Sequence, residues 1–391
     1  MIISRRELLR IGALAGAWAG TGIFKQAQAA APVELSQYFL FPAAGAKAKP
    51  VPEDSPDRIV ESGLIRAGLF KSPVRSMNLL DSRLLAGRST NMMGFPKLME
   101  WVGAGMAHPD WYFGFIIVDA KILSLSTLYG FNRKTKAYFS HDAFGPDKMV
   151  RVAESAWDNI TYAKKPGFFM EARHHLEKGF HKVKIDIESS GKDPRVSAEL
   201  TWHEDLKKIQ PMVMMSPLMG KHFIYNHKAQ MPIEGTMVVG GQKIEFNPGR
   251  DLANMDEVKS CVGLKNSYTW FNFGGFDQKG RIVGLNASDN AQREESFWTE
   301  NCIWAGNKLS MLGPVSFKLD LRNIMKPWTA RDDGDRVDIT FYPEGGKTIR
   351  LGPLGKYYQK CGRFRGTLLD DLGERHVVND YYGCAESMNV L

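Results

Sequence analysis

Residues 256–306 read DEVKSCVGLKNSYTWFNFGGFDQKGRIVGLNASDNAQREESFWTENCIWAG. Within them, NSYTWFNFGGF is an aromatic–glycine run with strand character. Asp277-Gln278-Lys279-Gly280 follows as a polar turn, and RIVGLNAS returns as the partner strand. This hairpin predicts antiparallel β structure. Outward from it the same signals recur. WYFGFIIVDA and ILSLSTLYGF flank a loop, and Asn132–Thr135 is a polar turn before KAYFS. FHKVKIDIES and RVSAELTWHED alternate apolar and polar residues. Gly240-Gly241 closes another hairpin. Helix-like spacing is confined to one or two turns at Phe95–Val102, while Ile59–Leu69 and Leu79–Leu85 read as short elements.

The expected fold class is therefore all-β. Sheets of many short strands remove exposed edges by closing or stacking, and about 280 residues of such strands exceed one small barrel. Two antiparallel β-barrels in tandem are predicted, residues 59–215 and 216–391, after an irregular lead-in at 30–58. The Met- and Pro-rich stretch Gln210–Lys221 is the candidate linker, although methionines also fill cores.

The first 29 residues predict export. Paired Arg5-Arg6 precede a Gly/Ala-rich apolar run, Ile11–Phe24, and the small residues around Ala29 give a cleavage site. This is the pattern of a twin-arginine signal, so the twin-arginine export machinery is an expected partner and the periplasm the expected location. The apolar run is too short and glycine-rich for a stable transmembrane span. Net charge is +8 over 391 residues, of which the signal holds four basic residues against one acidic. The remaining charge is scattered, without a basic stripe or a reader motif, so nucleic acid is not an expected partner. The four cysteines, Cys261, Cys302, Cys361 and Cys384, form no CxxC pair. Export allows a disulfide, with Cys361–Cys384 the plausible pair; four buried thiols are the alternative.

Chemistry is sought near the hairpin. Asp256 and Glu300 are carboxyls beside aromatic strands, and a carboxyl in an apolar cavity acts as a general acid near neutral pH. Asp256 is the candidate acid, with His227 or Glu300 relaying its proton; the competing reading of Asp256-Glu257 is a solvated turn. Trp270, Phe273, Trp298, Tyr225 and Tyr268 are the candidate substrate-binding aromatics, and ordinary core packing is their alternative. His222 and His227 lie on opposite faces of a strand and cannot share a metal there. No HExxH, GxSxG, phosphate loop or dinucleotide fingerprint occurs, and neither a metal nor a cofactor is expected.

Four segments carry a family resemblance: TWFNFGGFDQKGRIVGLNAS at 269–288, TENCIWAGNKLSMLGPVSFKLD at 299–320, PWTARDDGDRVDITFYP at 327–343 and GRFRGTLLDDLGERHVVNDYYGCAE at 362–386. Together they resemble domain-of-unknown-function family 2804, over Trp111 to Glu386. That family is in turn similar to lipocalin-like two-barrel proteins that include carotenoid 1,2-hydratase, tocopherol cyclase and fungal Diels–Alderases. The resemblance implies an apolar, isoprenoid- or polyketide-like molecule held between two barrels, and in some members alkene hydration or cyclisation by protonation. Asp256 in MDEVKS stands where the hydratases carry an acidic motif, without its tryptophan-rich form. The functional expectation is a cofactor-independent hydratase, isomerase or cyclase acting on a hydrophobic small molecule. A carrier for such a molecule, and an envelope-interaction module, are the alternatives.

Overall fold

The structure is a computed structural model that describes residues 35–42, 51–90, 97–218, 222–261, 267–289, 299–350 and 355–390. The segment read as a twin-arginine signal, residues 1–29, and Trp298 lie outside these. The strands of the described residues form three sheets. The first is small: β1 (Phe39–Leu40), β2 (Val60–Glu61) and β3 (Leu64–Arg66).

The second has 14 strands. These are β4 (Gly68–Phe70), β5 (Met99–Ala107), β6 (Trp111–Asp119), β7 (Ser124–Asn132), β8 (Tyr138–Gly145), β9 (Val150–Arg151), β10 (Asn159–Lys165), β11 (Phe168–His175), β12 (Phe180–Ile187), β13 (Val196–His203), β14 (Met212–Leu218), β15 (His222–Val239), β16 (Gln242–Phe246) and β17 (Leu252–Cys261).

The third has nine strands. They are β18 (Ser267–Phe276), β19 (Ile282–Ser288), β20 (Cys302–Ala305), β21 (Lys308–Met311), β22 (Val315–Lys318), β23 (Trp328–Asp332), β24 (Val337–Arg350), β25 (Gly355–Leu369) and β26 (Arg375–Val390).

Each large sheet curls into a half-barrel around its own core, giving the tandem all-β architecture expected from the strand pattern. In the second sheet the main path runs β8-β7-β6-β5-β17-β15-β13-β12-β11-β10-β9. Its concave face gathers Phe113, Phe115, Met170, Val183, Trp202 and Met231. In the third, Phe271, Phe273, Trp328, Phe341 and Phe364 fill the interior, with Phe273 stacked on Phe364 at 4.4 Å. Burial of such aromatic area is the dominant stabilising term. Among the described residues, no helix is long and apolar enough to cross a membrane.

The short element expected at Leu79–Leu85 is a 3-10 turn at Leu79–Asp81, and two other local expectations differ from the structure. Of the stretch 95–102, the first two residues lie outside the described ones, and Met99–Val102 are part of β5 rather than a helix, because they pair with β17 and, from Glu100, also with β6. The hydrogen-bonded sheets change over between Cys261 and Ser267, not near residue 215. The Met-rich stretch is itself a buried strand, β14, paired with β15 and β4. Met212 and Met214 pack against Trp304, and Met215 against Phe70, so these side chains fill contacts on both faces.

The long strand β15 is bent at Gly235. It pairs with β17 up to Pro232 and with β16 from Gly235 onward. Gly235 has φ +118°, and a Cβ there would lie 2.3 Å from the Glu199 carbonyl oxygen. Backbone on a neighbouring strand cannot yield cheaply, so Gly235→Ala is expected to cost about 1–3 kcal/mol in urea denaturation. A loss of only a few tenths would show that the bend is not fixed by this contact.

Candidate functional site

Strands expose alternate residues to opposite faces, and β15 and β17 use both. They are paired in register, with His227 opposite Glu257, Lys228 opposite Asp256, and Gln230 opposite Asn254. His227 and Glu257 face the interior of the first half-barrel. Lys228, Gln230, Asn254 and Asp256 face the third sheet.

The interior face carries a belt of polar groups running from strand to strand. Thr161 Oγ1 lies 3.0 Å from His174 Nε2, and His174 Nδ1 lies 3.1 Å from His181 Nδ1. His181 Nε2 and His227 Nε2 each lie 2.8 Å from one Glu204 oxygen, and His227 Nδ1 lies 2.8 Å from Glu257. Lys259 then pairs with Glu257 at 3.6 Å and Glu100 at 3.1 Å, and Glu100 with Lys121. Lys259 Nζ also donates to the Ala153 carbonyl at 2.7 Å, while the Ala153 N–H donates to Thr161 at 3.0 Å. The belt therefore closes on itself across the loop between β9 and β10, and among the described residues no ladder joins the two ends of the sheet path, β8 and β9. The members from His174 to Lys259 are buried. Burial alone would discharge His227, but Glu204 and Glu257 overcome it and raise its pKa to about 10. Glu204 is in turn lowered to about 2: burial opposes its charge, but His227 and His181 outweigh it. His174, buried and beside His181, is lowered to about 3 and is neutral.

The opposite face meets the third sheet. On β18, Tyr268, Trp270, Asn272 and Gly274 turn towards it, while Phe271 and Phe273 turn into the second half-barrel. A Cβ at Gly274 would lie 2.1 Å from Gln230 Oε1, so glycine there lets the two sheets approach. Between them is a narrow cleft, open to solvent, with about 50 Å³ of internal space. Tyr112 and Ile116, with Gly103, Gly105 and Gly114 between them, and Asp256 on the neighbouring strand form one wall, and Trp270 and Glu386 stand opposite on the third sheet.

Asp256 is held by two donors. Lys228 Nζ lies 2.5 Å from Oδ1, and the Trp101 indole N–H donates to Oδ2 at 3.1 Å. Lys228 also pairs with Glu300 at 2.7 Å, and its ammonium lies 5.4 Å from the Trp270 ring centroid. Burial disfavours the Lys228 charge, but Asp256 and Glu300 hold its pKa above the ordinary lysine value. Glu386 differs from both. Burial first, and the Asp256 charge as well, push its carboxyl above the usual range, against hydrogen bonds from Tyr357, Gln359 and Tyr268. The Gln359 amide donates to it at 2.7 Å and the Tyr268 hydroxyl at 3.0 Å.

Of the residues singled out in the sequence, Asp256, Glu300, Trp270 and Tyr268 come together around Lys228 and Glu386. His227 lies across the sheet in the belt, Phe273 in the second core, and Tyr225 beneath the small sheet with Phe39 and Ile65. Lys228 and Glu386 were not singled out. Glu386 had a signal: a charge in step with Tyr382 and Cys384 on an otherwise buried strand, inside the segment YYGCAE. All four cysteines are buried free thiols, and Cys361 stands directly opposite Cys384. Burial pushes the Cys361 thiol up to about 12. Among the described residues two side-chain groups have metal-like spacing, but in Asp370-Glu374-His376 the Arg281 guanidinium already pairs with Glu374 at 2.6 Å.

The segments that resembled a known family lie on β18 to β26, the sheet that forms one wall of the cleft, and the profile described as Domain of unknown function (DUF2804) matches residues 55–390. The chain belongs to the DUF2804 family. No curated protein matches it. Among solved structures, CghA with Sch210972 is similar at TM-score 0.51 and 8% identity, over 75% of this chain and 88% of that one. Kievitone hydratase from Nectria haematococca gives 0.44 and 11%, over 74% and 88%. An AttH protein from Nitrosomonas europaea gives 0.45 and 12%, over 77% and 95%. The likeness to CghA shows a shared fold, so this DUF2804 member is built as a lipocalin-like two-barrel protein.

Proposed function

We propose that this DUF2804 protein is a cofactor-independent proton-transfer enzyme, a hydratase, isomerase or cyclase, acting on a hydrophobic small molecule in the cleft between its half-barrels. The observation that carries this reading is Glu386, a carboxyl with raised pKa that shares the cleft with the ion-paired carboxylate of Asp256. Two carboxyls in unlike environments are suited to opposite roles. Glu386 gives its proton to one alkene carbon, leaving a cation on the other. Trp270 presents a π face to that charge. Water attacks the cation and loses a proton to Asp256, giving an alcohol; loss of a substrate proton to Asp256 instead gives an isomer, and attack on the cation by a second alkene or hydroxyl of the substrate, followed by the same proton loss, closes a ring. Asp256 releases its proton to solvent, and solvent returns one to Glu386. Lys228 and Glu300 position Asp256, and His227 has no part in this cycle. The SRRELLR pattern supports the further proposal that the protein acts after twin-arginine export.

The test is to incubate purified protein with a lipid extract in D2O and analyse the products by mass spectrometry. Turnover with deuterium fixed on carbon is expected. A molecule that is captured and returned unlabelled would establish a carrier instead.

A further inference from the structure

Four side-chain amides cross the sheet–sheet interface, and their orientations are fixed by groups that have only one role. Asn286 Oδ1 accepts from the Trp270 indole N–H at 2.8 Å, so its Nδ2 faces the Glu300 carbonyl oxygen at 2.9 Å. Asn272 Nδ2 donates to the same Asn286 Oδ1 at 3.4 Å, which leaves Asn272 Oδ1 to accept from Gln230 Nε2, also at 3.4 Å. Gln230 Nε2 donates as well to the Phe273 carbonyl at 3.3 Å, which fixes its own orientation. Gln230 Oε1 therefore accepts from Asn254 Nδ2. The relay ends at Asn254 Oδ1, which is buried and has no partner among the described residues. Asn254 is 4% exposed and lines the cleft.

A buried carbonyl oxygen without a donor costs free energy that a ligand donor recovers. An apolar ligand with no donor leaves that cost in place, and one that offers only an acceptor repels it. We infer that the cleft takes an apolar molecule carrying a hydroxyl or similar hydrogen-bond donor, and that Asn254 is the residue that selects it. This rests on the proposed use of the cleft and narrows its substrate class from hydrocarbon to hydroxylated alkene. Asn254 and Asp256 lie two residues apart on one face of β17, roughly 7 Å along the strand. The recognised hydroxyl is thus held about a ring's width from the reacting carbons rather than on them.

The probes are 1-naphthol, 1-methoxynaphthalene and naphthalene, which share a body and differ in carrying a donor, an acceptor only, or neither. Binding to the mature protein is measured by calorimetry or equilibrium dialysis. Naphthol is expected to bind about ten-fold more tightly than methoxynaphthalene, the ratio given by one hydrogen bond of ordinary net strength. Asn254→Leu should bring that ratio to about one. Asn254→Asp, which keeps an acceptor, should preserve it and keeps the question open if the leucine variant fails to fold. A ratio near one in the unmodified protein, a ratio unchanged in Asn254→Leu, its loss in Asn254→Asp, or no binding of either probe overturns the inference. The two readings fail separately. A donor preference without any turnover leaves recognition standing and removes the catalysis, whereas Glu386-dependent turnover without donor preference removes only the role of Asn254.

Discussion

Replacing Glu386 with glutamine is expected to lower turnover by about 10²–10⁴-fold, the usual contribution of a positioned general acid, with ligand binding retained. Glutamine keeps the shape of the side chain and can still meet Gln359 and Tyr268, so the cleft stays intact. What is lost is the proton. The pH dependence follows from the direction of the shift. A carboxyl with a raised pKa stays protonated at pH values where an ordinary glutamate is ionised. Activity should therefore persist above the usual glutamate range and fall once Glu386 ionises. The lost limb should be absent from the residual rate of Glu386→Gln. The measurement is the initial rate across pH for both proteins on the substrate identified by mass spectrometry. Equal kcat in the two would remove Glu386 from the chemistry.

The second large effect is on stability. Glu204 accepts from both His181 and His227 inside the first half-barrel. Glu204→Ala leaves the His227 charge buried with one carboxylate fewer, and a broken buried ion pair costs about 3–5 kcal/mol. Urea denaturation would read this as a large drop in midpoint, and a change below about 1 kcal/mol would sink the role assigned to the belt. The belt also sets a pH window. His227, raised to about 10 from an ordinary 6.5, contributes stability that is complete below about pH 6.5 and is lost as pH rises towards 10. Glu204, lowered to about 2 from 4.5, contributes stability that is present above pH 4.5 and lost as pH falls towards 2. His174, lowered to about 3 from 6.5, is uncharged in the fold, so acid favours the unfolded chain from pH 6.5 downwards. Thermal stability should therefore be greatest near neutrality, with the first acid losses set by His174. His174→Asn should flatten the curve between pH 6.5 and pH 4.5.

What the sequence made legible was local. The hairpin of β18 and β19 and its turn were readable because Asp277 and Gly280 fix the chain within four residues: the Asp277 carboxylate accepts from the N–H groups of Lys279 and Arg281, and Gly280 has φ +72°. The Gly240-Gly241 turn was readable for the same reason. Alternation likewise put Trp270 on a strand, whereas Asp256 was read only as lying beside one, and its place within β17 came from the structure. Register was not legible, and the candidate site depends on it. Lys228 meets Asp256 only because β15 and β17 pair at that offset, and Glu386 meets Gln359 only because β25 and β26 pair across a bulge between Phe364 and Arg365. The belt is further still from local reading, since its histidines and carboxylates come from strands spread along more than 150 residues. The change-over between sheets was misplaced for a related reason. Met and Pro at 211–219 read as a linker, while the contacts that make Met212–Leu218 a strand come from Phe70 and from His222 onward.

His227 and Lys228 are chain neighbours, as are Asp256 and Glu257, yet each pair is divided between an ionic belt and a cleft. Deleting a single residue from either strand upstream of these pairs would exchange the two roles at once. A lysine would enter the histidine–carboxylate ring, and an imidazole would face the other sheet. Substitutions can be absorbed here one side chain at a time, but insertions and deletions cannot. Length variation among descendants of this chain should accordingly fall in the connections and spare the two strands from His222 to Cys261.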